Sequence, residues 1–229
     1  MPKHGKKYRA TTENGPSNGP VEAAKALERV REMAFASFDE TVEAAVRLGV
    51  DPRKADQVVR GTVILPAGTG RTMRVLALVQ GDKVAEAEEA GADFVGTEYI
   101  EKIEGGWLDF DVAIATPDLM KDVAKLGRVL GPRGLMPTPK AGTVTMEVAR
   151  AVSEAKAGKI EFRVDKTGNI HAPIGKVSFE IESLTQNFEA LMGEIVRLRP
   201  PAAKGQYVRS VTVASTMGPG VAIDDNLYR

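Results

Sequence analysis

The hydrophobic pattern of this chain changes style twice, and that limits what it can fold into. Early on, apolar residues alternate: Phe38, Val42, Ala44, Val46, Leu48 and Val50 fall on one side of a long strand. Gln57 to Leu65 reads as a second strand, closed by Pro66-Ala67-Gly68-Thr69-Gly70. Val75-Leu76-Ala77-Leu78-Val79 is instead a continuous apolar run, the mark of a strand buried on both faces. A Glu/Ala helix to Ala90, an apolar Phe94-Val95, an acidic helix near Glu98 to Glu104 and a strand Val112 to Ala115 follow. A short helix comes next, with Thr116 its N-cap. That alternation predicts a parallel α/β unit.

Beyond Gly158, a helix C-cap, the alternating style returns. Lys159 to Val164 and Asn169 to Ala172 predict a hairpin around Asp165-Lys166-Thr167-Gly168. Ile181, Leu184, Phe188, Leu191, Ile195 and Leu198 form a helical stripe that Pro200-Pro201 stops. Tyr207 to Thr216 predicts a last strand, running into Met217-Gly218-Pro219-Gly220. At the start, Met1 to Arg9 is a basic arm, Thr11 to Pro20 a flexible link, and Pro20 opens a helix. The economical fold is mixed α/β and α+β in two domains. Residues 1–67 and 159–229 form one discontinuous domain, an antiparallel sheet with helices. Residues 68–158 form an inserted parallel, Rossmann-like α/β domain, and the two linkers form a hinge.

Lysine plus arginine and aspartate plus glutamate both number 31, but the charges are segregated. Residues 1–81 carry 13 cations against 9 acids, residues 82–122 carry 3 against 12, and residues 123–229 carry 15 against 10. A basic chain with an acidic middle points to nucleic acid at its two ends. There is no cysteine, and His4 and His171 are the only histidines, so thiolate metal sites and His-dependent catalysis have no basis. No apolar run reaches membrane-spanning length, and a charged start without an apolar segment behind it predicts a cytosolic protein. No cofactor, metal, membrane or small-molecule substrate is expected.

One stretch has a chemistry of its own. Lys125 to Val144 holds Pro132, Pro137 and Pro139 with Gly127, Gly131, Gly134 and Gly142, which forbid a continuous helix or a central strand. From Val123 to Met146 there is no acid against Lys125, Arg128, Arg133 and Lys140. A stiff basic loop of this kind fits phosphate, or simply closes a domain. It does not match the mononucleotide pattern GxxxxGK[ST], and Gly68-Thr69-Gly70 is no dinucleotide fingerprint. An enzyme with a nucleotide-binding middle domain would need acid and base groups converging after Gly81-Asp82, Gly96-Thr97 or Thr116-Pro117. None is visible there.

LGRVLGPRGLMPTPKAGTV (Leu126 to Val144) resembles the signature of the L-one family of ribosomal proteins, the stalk proteins of the large subunit. Phe38 to Glu43, Leu48 to Pro66, Glu86 to Gly96, Asp165 to Lys176 and Ser215 to Val221 are similar to that family in the same order. The resemblance implies the two-domain layout and binding to a folded junction of large-subunit (23S) rRNA through the terminal domain. It also implies a mobile stalk near the exit site that assists release of deacylated tRNA, and repression of the protein's own operon through an mRNA site that mimics the rRNA. Ser37 departs from the family, where a lysine is common, and so does Ala10 to Pro20.

The positions that the resemblance assigns to rRNA come from three segments. They are Phe38, Glu40 and Thr41; Lys166, Thr167, Gly168 and His171; and Ser210, Thr216, Met217 and Gly218. From Ile195 to Ile223 there is no acid, against Arg197, Arg199, Lys204 and Arg209. An aromatic, hydroxyls and a glycine among cations suit RNA, which is read by stacking and 2′-OH contacts. On residues alone, Phe38 fits a core position as well as a surface one. An acid and an aromatic at the exposed start of a strand favour the surface, and His171 fits a satisfied hairpin histidine.

Overall fold

The structure, a computed structural model, describes residues 5–13 and 19–228. In chain order it contains α1 (Lys6–Glu13), α2 (Ala23–Met33), β1 (Thr41–Leu48), β2 (Arg60–Ile64), β3 (Val75–Leu78), α3 (Lys83–Glu89), β4 (Phe94–Val95), α4 (Glu98–Glu104) and β5 (Val112–Ala115). Then come α5 (Met120–Lys125), α6 (Gly127–Leu130), α7 (Val148–Lys156), β6 (Lys159–Arg163), β7 (Asn169–Lys176), α8 (Ile181–Arg197), β8 (Val208–Ser215) and β9 (Val221–Ile223). The chain divides into two compact units, Met1–Gly70 with Ile160–Arg229, and Arg71–Lys159.

The first unit is built on a four-stranded sheet in the order β7-β1-β8-β9, with antiparallel neighbours. Strand β1 is central because both its edges are used, and its TVEAAVRL alternation turns Val42, Ala44, Val46 and Leu48 into the core. They meet Ile170, Ala172 and Ile174 of β7, Val211 and Val213 of β8, and the apolar stripes of α2 and α8. Within that core Tyr207 donates its hydroxyl to the Ile195 carbonyl at 3.0 Å, and burial pushes its pKa up to about 12. Strands β2 and β6 form a separate two-stranded sheet.

The second unit has a parallel sheet in the order β4-β3-β5. Its central strand explains its own composition. Leu76 and Leu78 join one core with Ile103, Phe110, Val123, Leu126 and Leu130. Val75, Ala77 and Val79 join another with Ala87, Val148, Val152 and Ala155. Helices cover both faces, so no position on β3 is polar.

Several local expectations are corrected. The segment read as a link from Thr11 begins inside α1, which runs to Glu13; residues 14–18, like residues 1–4 of the basic arm and His4, lie outside the described residues. The helix does not open at Pro20: Val21 bridges to Ile223 and α2 starts at Ala23. The predicted strand from Phe38 starts at Thr41. The predicted hairpin is not one, because its arms go to different sheets, β6 to β2 and β7 to β1. Only the turn closes, through Asp165 N to Asn169 O at 2.7 Å. The Lys125–Val144 stretch is not bare loop: it contains α6 and a 3-10 turn Pro139–Ala141, and Val144 bridges to Ala115. Thr116 stands at the head of the turn Pro117–Leu119 without a side-chain cap.

Candidate nucleic-acid interface

One face of the four-stranded sheet is core, and pleating turns the other residues to the opposite face. On β1 these are Thr41, Glu43, Ala45 and Arg47, none of them buried. Register sets them in rows. Ala45 stands between His171 and Thr212, Arg47 between Asn169 and Ser210, and Glu43 between Pro173 and Ala214. Thr41 ends the series opposite Lys176, whose ammonium donates to the Thr41 hydroxyl at 2.9 Å. The result is an open platform of small, hydroxyl-bearing and charged side chains.

The proposed positions do not form one cluster on this platform. Phe38, Glu40, Thr41, Thr216, Met217 and Gly218 gather where β1 begins and β8 ends. Thr41 N donates to Thr216 Oγ1 at 3.0 Å, and that hydroxyl donates back to Thr41 O at 3.3 Å. Lys166, Thr167, Gly168 and Ser210 gather where β1 ends, six residues on, or about 20 Å at strand rise. His171 stands between the two groups, opposite Ala45.

At the first end, Phe38 is 54% and Met217 50% exposed, among the largest exposed apolar side chains described. Glu40, expected at the surface, is only 1% exposed. Its Oε1 accepts from the amides of Phe35 (3.1 Å) and Ala36 (2.8 Å), and its Oε2 from Met217 N (2.9 Å). Burial pushes this carboxyl up, but the Met217 amide, the Ser215 hydroxyl and the amides of Ala36 and Phe35 together outweigh it, and the pKa is lowered. Asp39 is tied to the other side, accepting from Ser178 N at 3.1 Å and Ser178 Oγ at 2.8 Å. Gly218 serves its own turn, because a Cβ there would stand 2.5 Å from Ser215 Oγ.

At the second end, Asp165 organises the turn. Its Oδ1 accepts from Thr167 N and Asn169 N, both at 2.8 Å, and Thr167 Oγ1 donates to it. The Asn169 amide, then the Thr167 hydroxyl, hold its pKa at about 2. Gly168, at φ +89, gives its carbonyl to Leu48 N at 2.8 Å and is itself buried. Lys166 and Thr167 are left exposed. Beside them a cavity of about 640 Å³ is lined by Pro52, Arg53, Val58, Arg163, Val164, Asp165 and Lys166. A neighbouring one of about 550 Å³ includes Lys54, Lys204 and Arg209.

Sequence reasoning missed Glu43, Arg47, Asn169 and Thr212 on the platform, and Asp39 and Asp165 in the turns at its two ends. The alternation that identified the core of β1 also places Glu43 and Arg47 on its other face. Asp165 announces itself as the first residue of an Asx turn. No group of His, Cys, Asp and Glu among the described residues has metal-binding geometry, and no described helix is long and apolar enough to cross a membrane.

A sequence model of the Ribosomal protein L1p/L10e family matches residues 30–219. The large ribosomal subunit protein uL1 of Gemmatimonas aurantiaca is 65% identical over 229 residues, covering all of both chains. Both comparisons define a class first: ribosomal proteins, which are structural and not enzymatic. The chain belongs to the Ribosomal protein L1p/L10e family.

Proposed function

We propose that this protein, a constituent of the large ribosomal subunit in the cytoplasm, holds large-subunit rRNA on the open sheet face of its terminal unit. Residues 1–67 with 159–229 form that rRNA-binding domain, and residues 68–158 are the insert. The observation that carries this is the exposure of Phe38 and Met217 at one end of a hydroxyl-bearing face whose other end is cationic. Water solvates exposed apolar groups poorly, whereas a nucleotide base or ribose offers them a partner. Thr41, Thr216, Thr212 and Ser210 can reach 2′-hydroxyls, and His171 a base edge or phosphate. Arg47, Lys166 and Arg209 supply charge for the phosphates. Glu43 accepts from amino or hydroxyl donors and penalises a phosphate placed over it, which gives register.

Family membership supports three finer roles. The protein forms the mobile stalk near the exit site, assists release of deacylated tRNA, and represses its own operon by binding an mRNA site shaped like the rRNA site. The test is a titration against three transcripts: the large-subunit rRNA junction, the leader of the protein's own operon, and an unrelated folded RNA of equal length. The first two are expected to bind selectively, the rRNA tighter. Equal affinity for the unrelated RNA overturns the reading. For the exit-site role, ribosomes lacking the protein are expected to release deacylated tRNA more slowly, and unchanged release removes it.

A further inference from the structure

The short segment before β1 carries an exposed aromatic followed by two acids, which is an odd composition for an RNA surface. An aspartate and a glutamate beside phosphates are repulsive unless they do something else. The geometry shows what they do. Asp39 is bonded to Ser178 on one side, through both its amide and its hydroxyl. Glu40 turns the other way and accepts from Phe35 N, Ala36 N and Met217 N. The backbone is also fixed, since Val177 N donates to Glu40 O at 2.9 Å. Three amides belonging to two separate segments, 35–36 and 217, thus converge on one carboxylate that is 1% exposed.

We infer that Glu40 is a positioning residue of the interface. It touches no RNA, and its buried anion locks the Phe38 segment and the Met217-Gly218 turn into their binding arrangement before RNA arrives. Charge-assisted bonds from backbone amides to a carboxylate are about twice as strong as neutral ones, so one anion can extend the β1–β8 pairing, which ends at Val42–Ser215 with the Thr41–Thr216 bonds, to the Phe35-Ala36 segment and the Met217 turn. A surface already in its bound geometry loses less conformational freedom on association, and so binds tighter for the same contacts. Phe38 and Met217 are half exposed, so their placement depends on the backbone bonds around them, and the Glu40 carboxylate accepts three of these. Only a residue with two acceptor oxygens serves both loops: a glutamine must turn an N–H donor toward either Met217 N or the amides of Phe35 and Ala36.

This inference rests on the rRNA-face reading, and the experiment separates the two. Full-length protein, Glu40→Gln and Phe38→Ala are titrated with the large-subunit rRNA junction transcript, and amide hydrogen exchange is followed on each free protein. Glu40→Gln is expected to weaken binding roughly ten- to a hundredfold, the equivalent of one lost charge-assisted bond. Its Met217 amide should lose protection while the amides of Val46 and Val211 in the sheet keep theirs. In the unmodified free protein the Ala36 and Met217 amides should already be protected, a readout that holds even if Glu40→Gln does not fold. If those two amides exchange freely until RNA is added, or if Glu40→Gln binds as the parent does while Phe38→Ala is weakened, the positioning role is wrong and the interface stands. If Phe38→Ala itself binds unchanged, the interface reading fails.

Discussion

At the scale of single residues, exposure decides what a substitution reports. Phe38 is half solvent-accessible, so Phe38→Ala removes contact with RNA and little of the core. It should cost about 1–3 kcal/mol of rRNA affinity, the range for a lost base–aromatic contact. A buried Phe188→Ala should instead cost about 3–5 kcal/mol of folding free energy. Melting curves and titrations on the same preparations check both, and a Phe38→Ala protein that unfolds would place Phe38 in the core. Gly218→Val is a mixed lesion, because its side chain meets Ser215 within the protein's own turn before any RNA approaches. Asp165 gives a pH test. Its pKa is held at about 2, below the ordinary carboxyl value of 3.8, so the folded state favours the ionised form. The stabilisation is complete above about pH 4 and is lost as pH falls through about 2. The amide resonances of Thr167 and Asn169 should therefore titrate near pH 2 and stay unmoved near pH 4. A midpoint near 4 would mean the Asx turn is not formed.

At the scale of elements, the long helix α8 does more than fill the core. Asn187 sits within its apolar stripe at 0% exposure, between Leu184 and Leu191. Its Oδ1 accepts from Ala67 N at 2.9 Å, and its Nδ2 donates to Gly68 O at 2.9 Å and Ile174 O at 2.8 Å. It therefore fixes the chain just after β2 against β7. Asn187→Ala should destabilise the protein by about 1–3 kcal/mol, the cost of buried groups left unpaired. Asn187→Asp should do at least as much harm, since a carboxylate would face two carbonyl oxygens; chemical denaturation measures both. This residue also marks where sequence reading ends. The alternation of β1, the buried run of β3 and the stripe of α8 were legible, because each is a period within one element. The partner of β6 was not legible: Asp165-Lys166-Thr167-Gly168 signals a tight turn correctly, but which sheet each arm joins is settled by contacts far away in sequence. Asn187 escaped for the same reason, and Glu40, though named as a candidate, was expected at the surface because its partner Met217 lies 177 residues distant. The candidate residues were named from family resemblance, and neither their separation along the platform nor the burial of Glu40 follows from a motif.

At the scale of the whole molecule, each unit has its own core, and the cations and exposed apolar groups of the proposed interface all belong to the first. The acidic stretch 82–122, with 12 acids against 3 cations, belongs to the second and should attract RNA little. A chain joining residues 1–70 to 160–229 through a short linker should therefore fold and keep most of the rRNA affinity. Residues 71–159 alone should fold, around β3, and bind RNA poorly. Electrostatics gives the quantitative check. With roughly four to six phosphates contacted, log K should fall against log salt with a slope of about −3 to −5, at roughly −0.7 to −0.9 per phosphate. The joined terminal unit should show the same slope as the intact protein, because the contacts that release counterions are all present in it. Lys204→Ala should lower the slope by about one phosphate's worth while leaving the preference for rRNA over unrelated RNA intact, since a peripheral cation carries no sequence information. A slope near zero would remove the electrostatic argument. Tight binding by residues 71–159 would move the interface to the other unit and make the acid-free loop from Lys125 to Val144 the place to look.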